Sequence, residues 1–379
     1  MSAPPGPPAR SALPADRSQA RSTARPPAAP HRPRVLVARL DNLGDVLLTG
    51  PAVRAVAARA DVVYLCGPRG RAAVDLLPGV GQVIEWEAPW IDPEPDPVSA
   101  ERCRVLAEQV QAAAPTSAAV LGSSHQSPLP LALLLRLAGV TRTAAVSHDY
   151  AGSLLDHRIP GDPDVHEVER SLDVVRALGF PAPADDRLAV TAGFEREGGA
   201  PTRRTQDGPY VAVHPGASVP ARTLPATRWR DVVGALASEG WPVVVTGGAA
   251  DRGTVARVVA GRPGVTDVAG TSLAELAGVF AGATVVVTGN TGPMHLAAAV
   301  GAPVVAVFAP TVPARRWHPW RVPHAVVGDQ GVPCAGCRHQ RCPLPVQLCL
   351  AHVTAGEIVV AVETLAPART ARPPEAAAS

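Results

Sequence analysis

The chain has 379 residues, 46% of them hydrophobic and 18% charged, enough to build a core in each of two domains. Its 35 basic and 33 acidic residues leave a formal charge of +2, too even a balance for a general polyanion or nucleic-acid binder. Every basic residue is arginine, which excludes catalytic lysine chemistry and leaves a flat guanidinium fork, suited to phosphate oxygens but not to proton abstraction.

Residues 1–33, "MSAPPGPPARSALPADRSQARSTARPPAAPHRP", carry no apolar run and read as a disordered tail without the central segment of a secretory signal. From residue 34, short Val-rich runs alternate with Ala/Leu/Arg segments of helical period, the pattern of a parallel sheet with crossover helices. Strands are expected at 34–40, 62–67, 81–86, 117–122 and 143–148, making one open sheet. The stretch 148–180 ends this half with an amphipathic helix behind a His-containing loop. A polar, Gly-rich segment, "TAGFEREGGAPTRRTQDGP", then separates it from a second run of strands at 210–216, 242–248, 265–270, 284–289 and 303–310. Between the third and fourth of these, "TSLAELAGVFAGA" has a capping box in Ser272 and Glu275. Residues 367–379 form a second disordered tail. The expectation is an α/β chain of two Rossmann-like domains, 34–192 and 209–366, joined by a linker at 193–208 and facing a central cleft. No run reaches the roughly 20 apolar residues of a membrane helix. A cytoplasmic protein is expected, able to touch the inner face of the membrane.

Several strands of the second half end in small-residue turns, "HPGAS", "TGGAAD", "AGTS" and "TGNTGP". In open α/β sheets ligands sit beyond the carboxyl ends of the strands, where helix N-termini point their N–H groups outward. Neither half has a G-x-G-x-x-G after its first strand, which argues against a dinucleotide, and the absence of lysine forbids a P-loop. Diphosphate binding by turn amides and arginine remains, and a nucleotide sugar answers that description. The candidates on this edge are His214, Gly216, Arg222, Asp251, Asn290, Thr291, Gly292 and His295. Four of them have a plainer counterpart: His214 a strand terminus, Asp251 a dipole-matched first-turn residue, Arg222 a surface charge, His295 a buried structural histidine. In the first half, "VARLDNLGDVLLTGPAVRAV" places Asp45 at a helix start, either as a cap or as a carboxylate projecting into the cleft, with Asp41 as a weaker rival. Ser124, His125 and His166 are loop groups that could face an acceptor.

The loop "PCAGCRHQRCPLPVQLC" gathers Cys334, Cys337, Cys342 and Cys349. Structural zinc is the default for four thiols so close in a reducing compartment. An iron–sulfur cluster, unligated thiols and a redox disulfide remain open.

The motifs "ARLDNLGDVLLTGPAVRAV", "HPGASVPARTLPATRW" and "GNTGPMHLAAAVGAPVVAVFAPT", in this order, resemble glycosyltransferase family 9, the heptosyltransferase-like enzymes of GT-B fold, over residues 34 to about 366. The resemblance implies an inverting transfer of a heptose or related sugar, without catalytic metal or other cofactor, from an ADP-heptose-like donor to a hydroxyl of a cell-envelope glycan or glycolipid. The first domain would take the acceptor, the second the donor. Asp45 falls at the family's general base, and Arg222 with the amides near Thr291 and Gly292 would stabilise the departing diphosphate. Two departures stand out. Arg222 replaces a usual lysine, and Asn290 replaces the acidic residue of Asp-Thr-Gly. The second departure, with the Cys loop, motivates the alternative of a catalytically silent nucleotide-sugar sensor.

Overall fold

The computed structural model of the protein describes residues 32–92, 94–123, 125–191 and 208–366. The expected tails apart from residues 32 and 33, the linker apart from residue 208, and Ser124 lie outside the described residues.

The first half runs β1 (Arg34–Arg39), α1 (Leu43–Leu48), α2 (Gly50–Ala57), β2 (Asp61–Cys66), α3 (Arg71–Val74), β3 (Val80–Glu85), α4 (Ala100–Ala113), β4 (Ser117–Val120), α5 (Leu129–Leu137), β5 (Arg142–Val146), β6 (His157–Ile159) and α6 (Glu167–Ala177). The second runs β7 (Val211–His214), α7 (Ala226–Ser238), β8 (Val243–Gly247), α8 (Arg252–Val259), β9 (Val265–Ala269), α9 (Leu273–Gly282), β10 (Val285–Gly289), α10 (Gly292–Ala299), β11 (Val304–Val307), α11 (Ala314–Trp317), β12 (His324–Val327), α12 (Leu348–Ala351) and α13 (Ala355–Leu365). All ten expected strands are present. Each sheet gains one edge strand that the sequence does not announce, β6 and β12. Both are short, begin with histidine and keep exposed positions, so neither carries the apolar run of a buried parallel strand.

Every pairing is parallel, and the orders are β3-β2-β1-β4-β5-β6 and β12-β11-β10-β7-β8-β9. Counted within each half, both are the 3-2-1-4-5-6 order of a doubly wound sheet. Each therefore has a topological switch point, between β1 and β4 in the first and between β7 and β10 in the second, where the outgoing chains diverge and leave a crevice. The residues just after β1, β7 and β10 line those crevices.

Three apolar clusters hold this frame. One fills the outer face of the first sheet under α4 and α5, with Leu106, Leu131 and Leu135. A second packs Trp229, Val255 and Ile358 of α7, α8 and α13 on the outer face of the second sheet. The third is continuous across both halves, joining Val46 and Leu172 of the first to Phe280, Met294 and Trp317 of the second. The halves thus share a core. Local signals behave as expected: Ser272 Oγ accepts from Glu275 N at 3.3 Å while Ser272 N donates to Glu275 Oε2 at 2.8 Å, closing the capping box of α9. The amphipathic helix is α6, with Val168, Leu172 and Val175 buried and the His166 ring as its N-cap, accepting from Val168 N at 3.2 Å.

Candidate functional site

At the first switch point the chain leaves β1 through residues 40–42 into α1, whose N-cap is Asn42. Asp45 sits in the first turn but is not the cap, and its side chain keeps 21% exposure. Its Oδ1 accepts a 2.8 Å hydrogen bond from Arg39 Nη2. Arg39 ends the apolar run of β1 almost wholly buried, a position tolerable for a charge only with partners on every side. It has them: Asp41 Oδ2 lies 2.6 Å from Nε, Ser123 Oγ 2.8 Å from Nη2, and Glu167 Oε2 3.4 Å from Nη1. Burial and these carboxylates oppose one another on Arg39, and the carboxylates win, raising its pKa further. Asp41 is spent between Arg39 and Gln126 Nε2, and burial pushes its carboxyl pKa up. The rival carboxylate is thus a buried member of the network that holds Asp45, and Asp45 is the one that reaches solvent.

Opposite, at the second switch point, β10 ends at Gly289 and Thr291 is the N-cap of α10, with Pro293 in the first turn. Thr291 Oγ1 and His295 Nδ1 are both buried without a hydrogen-bond partner. Such groups cost free energy unless something completes them, and here they lie at a helix N-terminus, where N–H groups and the helix dipole favour an anion. Burial drives the His295 pKa down to about 4 against the pull of Asp45, so the imidazole is neutral. Arg222 arrives from the turn after β7; its Nε donates to Thr311 Oγ1 at 3.0 Å, and burial lowers its pKa while Asp45 raises it.

The two helix starts touch. A methyl group on Gly44 would lie 3.0 Å from both Gly292 Cα and His295 Cδ2, and one on Gly292 would lie 2.3 Å from Leu43 Cδ1. Glycine at both positions is what lets α1 and α10 meet end to end. Asp45, Arg222, Thr291, Gly292 and His295 are therefore drawn from three chain segments into one seat.

The other candidates on that edge are engaged elsewhere. Asn290 donates from Nδ2 to Ala309 O at 3.1 Å and accepts at Oδ1 from Ala309 N at 3.2 Å, so its amide clasps the ends of β10 and β11 and is not free for a donor. His214 sits in the core with Nδ1 3.0 Å from Thr246 Oγ1 and its ring edge-on to Phe280. Burial lowers its pKa to about 4, as befits a strand terminus. The Asp251 carboxylate accepts from Gly248 N at 2.9 Å and occupies the space where a side chain on Gly216 would go, 2.6 Å from that position. Asn290, Asp251 and Gly216 fix loop geometry, and His214 joins the ends of two strands. His166 is likewise buried as a helix cap.

The four clustered cysteines are free thiols, from exposed Cys334 to buried Cys349, and among the described residues no group of three or more His, Cys, Asp or Glu side chains is placed to hold a metal ion. The expected four-thiolate cage is not formed. Backbone pairing decides the loop's geometry instead: Gly336 N donates to Pro310 O at 2.7 Å, Arg338 N to Thr311 O at 3.0 Å, and Ala221 N to Gln340 O at 3.0 Å. The loop is strapped over the Arg222 turn, with Gln347 Nε2 adding a 2.8 Å bond to Ala221 O.

Residues 125–347, more than half of the chain, match the family described as Glycosyltransferase family 9 (heptosyltransferase). The chain belongs to that family. Lipopolysaccharide heptosyltransferase 1 of Pseudomonas aeruginosa is 31% identical over 224 residues, which spans 57% of this chain and 61% of that relative. Among solved structures, a family 9 glycosyltransferase from Veillonella parvula DSM 2008 superposes with a TM-score of 0.69 at 19% identity, covering 88% of this chain and 97% of its own. The E. coli heptosyltransferase WaaC with ADP-2-deoxy-2-fluoro heptose gives 0.66 at 21% identity, covering 88% and 100%. These structural likenesses carry the fold, the GT-B arrangement of two Rossmann-like halves.

Sequence reading misses Arg39, Ser123, Glu167, Thr311 and Arg316. Arg39 has a visible signal, a charge inside an otherwise apolar parallel strand. The others have none, because their partners are more than 80 residues away.

Proposed function

We propose that this family 9 protein is an inverting glycosyltransferase that moves a heptose or closely related sugar from a nucleoside diphosphate donor to a hydroxyl of a cell-envelope glycan or glycolipid. The observation that carries the reading is the opposition of Asp45 to the N-terminus of α10 with its unpartnered Thr291 and His295. In the reaction the acceptor oxygen attacks the anomeric carbon as Asp45 takes its proton. The bond from that carbon to the diphosphate oxygen breaks on the far side, and the diphosphate leaves with an added negative charge. Arg222, the amides at the start of α10, Thr291 Oγ1 and His295 are the groups at hand to receive that charge. ADP is the favoured nucleotide because a solved relative of this fold carries an ADP-heptose analogue, and the Pseudomonas relative, a lipopolysaccharide heptosyltransferase, supports a lipopolysaccharide acceptor.

The silent-sensor alternative rests on Asn290 and the Cys loop, and the first of these has a structural reason, since the Asn290 amide is spent on Ala309. Among the described residues no helix is long and apolar enough to cross a membrane. Contact with a membrane face belongs to the proposal, supported by exposed Leu133 and Leu137 on α5 and Tyr150 nearby in sequence.

The test is ADP release from ADP-heptose in the presence of a lipopolysaccharide acceptor lacking heptose. Asp45→Asn should lower kcat by roughly 10²–10⁴-fold, the usual span for loss of a general base, with ADP affinity within a few-fold of the parent. A parental kcat in Asp45→Asn would end the base assignment.

A further inference from the structure

Glu167 opens α6 and is completely buried, though a first-turn glutamate normally faces water. Its two oxygens are divided between the halves. Oε2 accepts from Arg39 Nη1 at 3.4 Å, the same guanidinium whose Nη2 holds Asp45 at 2.8 Å. Oε1 accepts from Arg316 Nη2, on α11 of the second half, and Arg316 is itself 4% exposed. One carboxylate thus closes a chain from Arg316 through Arg39 to Asp45.

The neighbouring residues show that this turn is where the second half docks. His166 Nε2 lies 3.1 Å from His318 O, and its ring stacks on Trp320 with centroids 4.4 Å apart. Arg315 pairs with Asp164 at 2.5 Å. A buried ion network of this kind is weak evidence for stability, since well-packed apolar residues of the same volume do as well. Its distinctive property is charge balance. With Arg316 in place, Glu167 is shared between two cations and Arg39 is left to hold Asp45. With Arg316 withdrawn, Arg39 is the guanidinium left hydrogen-bonded to Glu167, with buried Arg170 alongside, and Glu167 competes more strongly with Asp45 for Arg39.

We propose that Glu167 is a positioning residue that couples the seating of the second half, through Arg316, to the orientation of Asp45 through Arg39. This rests on Asp45 being the base. No hydrogen bond or ion pair joins Arg316 to Asp45; the hydrogen-bonded path between them runs through Glu167 and Arg39.

The experiment uses the full chain carrying Arg316→Met, Arg316→Lys, Glu167→Gln and the double change Glu167→Gln with Arg316→Met, which leaves no unpaired member of that bridge on the second half. Far-UV circular dichroism confirms folding. Arg316→Met should lower kcat for ADP release from ADP-heptose by about 10- to 100-fold with ADP affinity changed less than about 3-fold, and Arg316→Lys should restore most of it. In an Asp45→Asn background Arg316→Met should cost nothing further; an equal additional loss there overturns the coupling. A second readout needs no turnover: hydrogen exchange in ligand-free protein should quicken at residues 41–47 in both Arg316→Met and Glu167→Gln, and parental protection there overturns the proposal. If Asp45→Asn proves as active as the parent, the base assignment falls by itself, and the exchange at 41–47 still decides whether Glu167 links the halves.

Discussion

Asn290 shows how a single atom decides a residue's job. Its Oδ1 and Nδ2 complete both backbone groups of Ala309, a pairing that an aspartate cannot copy because it has no proton for Ala309 O. The residue usual in the family would here set a buried carboxylate against a carbonyl. Asn290→Asp should therefore cost about 2–4 kcal/mol at pH 8, read as a calorimetric loss of stability. Burial and the facing carbonyl would raise the new carboxyl's folded pKa above its unfolded value. The penalty should then be smallest below the unfolded pKa, near pH 4, and grow as pH rises, the opposite trend to that of a salt-bridged aspartate. Gly44 and Gly292 are decided in the same local way, by the absence of room for a Cβ where two backbones meet.

Elements are placed by more distributed forces. The starts of α1 and α10 lie at equivalent switch points of two sheets of identical order, so the same winding rule delivers Asp45 from one half and Thr291 from the other. Helix ends in this frame carry their own signals. The capping box of α9 satisfies two orphan N–H groups with Ser272 and Glu275. Ser272→Ala should lower stability by about 1 kcal/mol in urea unfolding, the usual cost of losing an N-cap side chain. β6 and β12 were the elements without such signals. Each exists because a neighbouring strand, β5 or β11, presents an open edge, a circumstance invisible in three or four residues of sequence.

Across the whole molecule, buried histidines give a pH signature. Burial depresses His166 to about 3 and His214 and His295 to about 4. The unfolded chain, with histidines near 6.5, binds protons first as pH falls, so stability is complete above about pH 6.5 and is lost progressively toward pH 4. Each fully buried histidine contributes up to roughly 3 kcal/mol to that loss. Thermal melts from pH 7.5 to 4.5 should show it, and His214→Gln should flatten the slope relative to the parent. An unchanged slope would mean that His214 is protonated as easily in the fold as out of it. The same three histidines sit at the core, at the seat and at the seam, so acid should weaken all three together.

What was legible in the sequence is what depends on near neighbours in the chain: apolar runs and helical periods announcing ten strands, the turn chemistry of residues 289–295, the helix start at Asp45, and motif order sufficient for the family. Partners brought together from distant segments were not legible. Spacing could not show that Asn290, His214 and Asp251 spend their polar atoms on backbone or core groups, that the loop carrying four nearby cysteines is strapped over the Arg222 turn, or that Arg39 and Arg316 meet on Glu167. Hydrogen-bond satisfaction and charge burial are settled by three-dimensional packing, with partners from 3 residues away for Asp251 to 149 for Arg316, and sequence spacing does not say which pairs of atoms will meet.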